Sequence, residues 1–447
     1  MLRNDGPLPG GPPPDTQDLQ RVVGEVETFL HEAIALVEPL LNEREESGPG
    51  HTTRILPALL LWAGLLVCVL HGFSKQLALW RLLSRQGLWG YPPLPLSDQA
   101  VYKRLGTGGT AVLEHLFAQI SAILAERLAP YRQTSLAPFA TEVLALDETT
   151  LDQVARLLPA LRGLAPGDRR LLPGKLTGLF DLRRQQWVRI EHQPNPVQNE
   201  KVAARGMVDG LARGSLLLAD LGYFGFAWFD DLSDRGLWWV SRLRAKTSYT
   251  VAHVAYHRGE TLDALVWLGA YRADRTKHLV RLVQFQVGAK TYRYLTNVVD
   301  PTVLPMGDLA RLYARRWDIE LAFKTAKVQL HLGLLWAARE TVILQQVWAV
   351  LIIAQVLQAL RVEIAGQAGV DPFDVSLPLL IEYLPFFASF GDDPLRAFVE
   401  DGARLRFIRP SSRTRIQAPV IPRDGLTAPP PALAWERTPR YAGKQGR

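Results

Sequence analysis

At Thr141 the hydrophobic repeat of this chain changes period, and that change divides what it can fold into. Upstream, from about Leu19 to Arg132, apolar residues recur every three to four positions in LQRVVGEVETFLHEAIALVEPLL, ILPALLLWAGLLVCVL and AVLEHLFAQISAILAERL. Such spacing lines one side of a helix, so this part reads as all-α. Within it, Ser97 of LSDQAVYKRLG is placed to cap a short helix carrying Lys103 and Arg104, charges that suit solvent or a phosphate. Downstream the runs shorten to strand length: EVLALD, then KLTGLFDL and QWVRIEHQ around a tight turn at Arg183 to Gln185, then SLLLAD and LWWVSRL. The segments NEKVAARGMVDGLARG and FAWFDDLSDRG read as helices between them, which makes an α/β layer arrangement.

From Thr247 to about Pro305 the pattern is mostly β, in SYTVAHVAY, HLVRLVQFQV and TYRYLTNVV, as an insertion before the next helix. His253 and His257 lie in it four residues apart, but a strand period does not give them a shared helical face, so they are not expected to bind metal. The terminal stretch RLRFIRPSSRTRIQAPVIPR is basic and Pro-rich and reads as a loose arm.

Two apolar runs require comparison with membrane spans. Ile55 to Leu70 is shorter than the roughly 20 residues a span needs and has Pro57 near its start. VILQQVWAVLIIAQVLQAL is interrupted by Gln345, Gln346, Gln355 and Gln358, which hydrocarbon penalises, so both read as core helices and no membrane partner is expected. The single cysteine, Cys68, rules out an internal disulfide and CxxC zinc sites and fits a reducing compartment. The opening MLRNDGPLPGGPPPD has the composition of a disordered tail, not of a secretory leader, so a cytoplasmic location is expected. A net charge of +7 is compatible with a polyanionic partner without identifying one.

The segment YARRWDIELAFKTAKVQL, Tyr313 to Leu330, concentrates chosen polar groups. At about 100° per residue, with Tyr313 at zero, Arg316 falls near 300°, Glu320 near 340° and Lys327 near 320°. These four form a stripe bordering the apolar one, with Arg315, Asp318 and Gln329 left to the far face. An ordinary surface helix with Arg316 and Glu320 as an i,i+4 pair would also fit this spacing. The carboxylates decide what to make of the stripe: EVLALD and SLLLAD each end on an aspartate, Asp147 and Asp220, at the strand ends where open α/β sheets bind ligands. With Glu320 they offer three oxygen donors suited to Mg²⁺, and two such ions about 3.5 to 4 Å apart can serve phosphodiester chemistry. No Walker A, GxSxG or HExxH pattern competes.

This combination resembles the DDE transposases of bacterial insertion sequences, in the IS-four branch with its Tyr-x2-Arg-x3-Glu-x6-Lys signature, which Tyr313, Arg316, Glu320 and Lys327 match in full. RRWDIELAFKTAK, LPGKLTGLFDL and LLLADLGYFG also look like the branch's wording around the acidic residues. The resemblance implies an RNase H-like catalytic core interrupted by a mostly β insertion and preceded by an all-α N-terminal domain. On that plan residues 1–16 are a disordered tail, 17–135 the helical, DNA-binding domain, 136–246 and 306–365 the two parts of the core, 247–305 the insertion, and 366–447 a helical segment with a basic tail.

It further implies cut-and-paste movement of double-stranded DNA by a synaptic homodimer on the bacterial nucleoid. Asp147, Asp220 and Glu320 would be the catalytic residues and ligands of two Mg²⁺ or Mn²⁺ ions, and Tyr313, Arg316 and Lys327 would hold DNA phosphates. Some relatives stack a flipped base on an aromatic of the insertion, for which Trp267 is the candidate. Many relatives have Gly after the first aspartate and Arg after the second, where this chain has Glu148 and Leu221. An inactive DNA-binding derivative and a stand-alone nuclease are the alternatives.

Overall fold

The computed structural model describes residues 56–73, 75–88, 91–151, 163–165, 174–195, 198–270, 274–330, 332, 339–389, 394–411 and 416–441. The expected tail and the helix expected from Leu19 lie outside them. The chain is a mixed α/β protein that divides into two compact units, Met1–Leu124 with Trp336–Pro410, and Ala125–Leu335 with Ser411–Arg447.

Among the described residues, the regular elements of the first unit are all helices. Ala58–Leu70, the shorter of the two apolar runs, is a helix buried along almost its whole length. Ser97 caps Asp98–Gly108 as expected, its Oγ accepting from the Ala100 N–H at 3.2 Å. The 29-residue helix Glu340–Ala368 is long and apolar enough to cross a membrane, yet it is buried inside this unit. Its glutamines explain why it belongs there. Gln345 Nε2 donates to the carbonyls of Leu105 (2.8 Å) and Gly109 (2.9 Å), and Gln355 Nε2 donates to Ser121 Oγ (2.8 Å). The Gln345 amide thus satisfies backbone carbonyls at the end of a neighbouring helix, while Gln355 bonds a hydroxyl within another. This helix therefore groups with the upstream helices, where the division by sequence places residues up to 365 with the sheet.

The second unit is built on one nine-stranded sheet in the order β3-β2-β1-β4-β5-β9-β8-β7-β6. The first five strands are β1 (Val143–Thr150), β2 (Lys175–Asp181), β3 (Gln186–Gln193), β4 (Leu216–Ala219) and β5 (Trp238–Arg242). β1, β4 and β5 run parallel, and β2 and β3 add an antiparallel hairpin on the β1 edge. All four β4 side chains are buried, the unbroken apolar run expected of a parallel strand covered on both faces. The hairpin turns where expected: Asp181 Oδ1 accepts from the N–H groups of Arg183 (2.7 Å) and Arg184 (3.0 Å), and Gln185 adopts φ 56°. Gly178 on β2 leaves room for Trp187, whose Cζ3 lies 2.6 Å from where a Cβ would be, and Trp187 in turn packs against Phe323.

The insertion is not a separate sheet. Its strands β6 (Tyr249–Arg258), β7 (Thr261–Leu268), β8 (Val280–Val287) and β9 (Lys290–Thr296) form a meander, and β9 pairs antiparallel with β5. β7 is a strand the sequence pattern did not yield, although its turn at Gly259 and Glu260 is short and ordinary. A buried bidentate pair, Arg281 with Asp263 (2.8 and 2.6 Å), fixes β7 to β8, and Arg281 Nη1 donates to the Leu304 carbonyl at 2.7 Å.

Downstream of the stretch expected as a loose arm, the C-terminal segment is docked on the sheet. The Thr427 N–H donates to the Ala255 carbonyl (2.9 Å), His253 Nε2 donates to the Thr427 carbonyl (2.8 Å), and the Leu279 N–H donates to the Trp435 carbonyl (3.0 Å). β6 is the edge strand on this side, and the arm supplies a partner for its Ala255 carbonyl.

Candidate active site

The parallel pairing of β1 with β4 stops at Leu146 and Ala219, so Asp147 and Asp220 come next to each other at the carboxyl end of β4; β1 itself does not end at Asp147 as expected but runs on to Thr150, because β2 stays paired with it. Asp147 belongs to a strand whose first four residues are buried, and it is the point where β1 becomes partly exposed. Its Oδ1 accepts from the Glu148 N–H at 2.9 Å. Asp220 ends β4, and the short turn Leu221–Tyr223 begins at once, with the Tyr223 N–H donating to the Asp220 carbonyl (3.1 Å).

The segment expected as one helix is two helices and a wide turn: Met306–Ala314, Trp317–Lys324, and a π-helical turn Thr325–Gln329. The break at Arg315 and Arg316 keeps helical backbone angles but tightens the hydrogen bonding to i→i−3 steps, Arg315 to Leu312 (3.0 Å) and Arg316 to Tyr313 (3.1 Å). Its cause is visible in the side chains. Arg315 and Asp318, assigned to the outer face by the helical wheel, are both buried and form an ion pair at 3.0 Å.

All four stripe residues nevertheless meet the ends of β1 and β4. Arg316 is buried and forks: Nη2 is 2.6 Å from Glu320 Oε1 and Nη1 is 3.6 Å from Asp147 Oδ2. Glu320 therefore lies on the same side as Asp147. The Tyr313 hydroxyl donates to the carbonyl of Ala219 at 3.3 Å, immediately before Asp220, and its ring lies 5.1 Å from that of Tyr294. Lys327, carried inward by the π-helical turn, donates to Thr149 Oγ1 and to the Thr150 carbonyl (3.3 Å). Among the described residues no three acidic, His or Cys side chains already stand at ligating distance of one point; Arg316 is interposed between the carboxylates.

The electrostatics record the crowding. Burial, reinforced by Glu320 and Asp220, pushes the Asp147 carboxyl up to about 6 despite the Glu148 N–H and Arg316. Burial likewise raises Tyr313 to about 12, and it raises the Tyr223 phenol, which feels Asp147, Glu148, Glu200 and Asp220. Asp220 Oδ1 is buried without a hydrogen-bond partner, its nearest cation being Arg242 Nη2 at 3.8 Å. A hard cation fits this donor set: clustered carboxylate oxygens, one unsatisfied and one reluctant to ionise without positive charge nearby.

Glu148, the first departure, does not add free charge: it is ion-paired with Lys175 on β2, the residue paired to Thr150. Beside Leu221, the second departure, Arg244 Nη2 donates to the Leu221 carbonyl (2.9 Å) and Arg242 faces Asp220. A cavity of about 1360 Å³ opens next to Glu320, and Arg242, Lys290, Arg293, Lys324 and Trp317 lie along it. Trp317, to which the sequence pattern assigns no role, is 56% exposed. Trp267 is not on the cavity. The Arg437 guanidinium of the C-terminal arm covers its ring at 4.8 Å, which removes it as an open stacking platform.

Residues 140–356 match the family described as the transposase DDE domain. The chain is 24% identical over 374 residues to the transposase for insertion sequence element IS231F of Bacillus thuringiensis subsp. israelensis, covering 70% of this chain and 72% of that one. Residues 140–356 thus carry a transposase DDE domain, and the chain is similar to transposases of insertion sequences. A second relative, the transposase for IS231B of Bacillus thuringiensis subsp. berliner, is 21% identical over 292 residues, 53% of this chain and 60% of that one. Among solved structures, the piggyBac transposase synaptic complex with hairpin DNA aligns at a TM-score of 0.40 and 10% identity, covering 92% of this chain and 87% of that one. The DDE match begins just before β1 and spans β1, β4 and the Glu320 helix, the three elements that carry the acidic residues.

Proposed function

We propose that this protein is a transposase that moves its element by cut-and-paste DNA transposition, using an RNase H-like core in which Asp147, Asp220 and Glu320 hold two divalent ions. The observation that carries the reading is the adjacency of Asp147 and Asp220 where the parallel pairing of β1 with β4 stops, with Arg316 linking Asp147 to Glu320. Mg²⁺ or Mn²⁺ bound there would activate the attacking oxygen and stabilise the leaving one. The chain's own residues do the positioning. Arg316, released from its carboxylates once they have other partners, presents a fork matched to a phosphate. Lys327 adds a point charge beyond the end of β1, and Tyr313 closes the site from the β4 side.

In the first step a water oxygen attacks phosphorus at the element end, the P–O3′ bond breaks, and a free 3′ hydroxyl results. In the second that hydroxyl attacks a target phosphodiester, one P–O bond forming as another breaks. The partners are double-stranded element ends and target DNA, engaged by a homodimer in the bacterial cytoplasm. The cations along the cavity extend the duplex contact, which salt weakens.

The test uses purified protein, DNA carrying the element's terminal repeats, and Mg²⁺. End cleavage and joined product are expected from the parent and from none of Asp147→Ala, Asp220→Ala and Glu320→Ala. Cleavage by all three at the parent rate sinks the assignment, and degradation without end preference or joining marks a plain nuclease.

A further inference from the structure

Behind the carboxylates lies a set of polar side chains with no part in the chemistry just described. Asp318, 4% exposed, accepts at Oδ2 from Arg315 Nε (3.0 Å) and from Gln185 Nε2 (2.8 Å). Arg315 Nη2 donates to Gln133 Oε1 (3.2 Å), and the Gln133 N–H donates to the Arg183 carbonyl (3.1 Å). Gln185 is 1% exposed, sits in the left-handed region at φ 56°, and also donates to the Leu182 carbonyl (3.0 Å). Three segments far apart in sequence are tied here: the loop before β1, the β2–β3 turn, and the helix break at Arg315.

Compactness does not require such a network. A buried ion pair is often matched or bettered by apolar residues of similar shape, and a non-glycine residue in the left-handed region is strained unless its surroundings demand it. What the network does determine is direction. Asp318 is the second residue of the helix that carries Glu320, and its own N–H donates to the Arg315 carbonyl at 2.9 Å across the break. Gln185 closes the hairpin whose β2 pairs with β1, Gly178 standing opposite Asp147. The tether therefore references the helix bearing Arg316 and Glu320 to the strand bearing Asp147. We propose that Asp318, held by Gln185 and Arg315, is a positioning residue that sets the angle of the Arg316–Glu320 pair against Asp147. Its consequence for activity rests on the catalytic reading above; the tether itself does not.

Gln185→Gly is the discriminating variant, because glycine takes φ 56° without strain while losing the amide. Expected are a melting temperature within about 3 °C of the parent, amide exchange across residues 316–321 faster by about tenfold, and end cleavage with kcat down about tenfold at unchanged KM for DNA. Pairing Gln185→Glu with Asp318→Asn exchanges amide and carboxylate and should recover part of kcat. Should Gln185→Gly fail to fold, Asp318→Asn gives the same readouts. Parent-like exchange and cleavage overturn the proposal, as does a change confined to KM. If the parent shows no carboxylate-dependent cleavage, the catalytic reading fails, while the exchange measurement still decides whether the tether orients the helix.

Discussion

Replacing Asp147 by asparagine should make the metal-free protein more stable while abolishing its activity. The carboxyl is buried enough, and close enough to Glu320 and Asp220, to be lifted from 3.8 to about 6. A folded-state value above the unfolded one means the native state binds the proton more tightly. The stabilising contribution is then complete below about pH 4 and is lost as pH rises through about 6. At 1.36 kcal/mol per tenfold, the ionised form costs the fold about 3 kcal/mol at neutral pH, and relaxation in the variant reduces the recoverable part to about 1–3 kcal/mol. For a domain of this size that corresponds to a melting temperature higher by roughly 2–10 °C. Thermal denaturation in EDTA at pH 7.5 and at pH 4 measures it, with the gain expected only at the higher pH. An equal or lower melting temperature at pH 7.5, or the same gain at both pH values, would refute the electrostatic account.

Other outcomes follow from the same geometry. Adding millimolar Mg²⁺ should raise the melting temperature of the parent and leave Asp220→Ala unmoved, because binding to the native state alone stabilises it; differential scanning fluorimetry reads both. Lys175→Ala strands the half-buried Glu148 carboxylate and should cost about 1–3 kcal/mol in a denaturant titration, with Glu148→Gln on the same background restoring most of it. Gln345→Leu deprives the Leu105 and Gly109 carbonyls of their donor and should destabilise the helical unit by about 1–3 kcal/mol, seen as an earlier loss of far-ultraviolet ellipticity. Trp267→Ala should cleave element ends at the parent rate, since Arg437 covers that ring; a large loss of kcat would mean the arm moves aside.

The parts of this structure that the sequence disclosed are those governed by short-range periodicity. β1 and β4 are visible as apolar runs leading into aspartate, and the β2–β3 turn by its polar residues, because strand burial and turn chemistry are written locally, whereas the continuation of β1 to Thr150 depends on its pairing with β2. The wheel over Tyr313 to Leu330 grouped four residues that do meet two strand ends, yet it misassigned Arg315 and Asp318. A wheel assumes constant rotation, whereas the break at Arg315 and the π-helical turn at Thr325 alter it, and both are products of tertiary contacts with Gln185, Gln133 and Thr149. The same holds for the arm: its backbone pairing with β6 and residues 275–279 depends on an edge that exists only after the sheet has formed. The fact that Lys175 answers Glu148 likewise required the β1–β2 register.

Because β9 lies directly against β5, the insertion cannot be trimmed away as an appendage. Removing it would leave β5 with a bare flank of amide and carbonyl groups beside Asp220, an invitation to intermolecular pairing and precipitation. Truncations aimed at a minimal enzyme should therefore begin elsewhere.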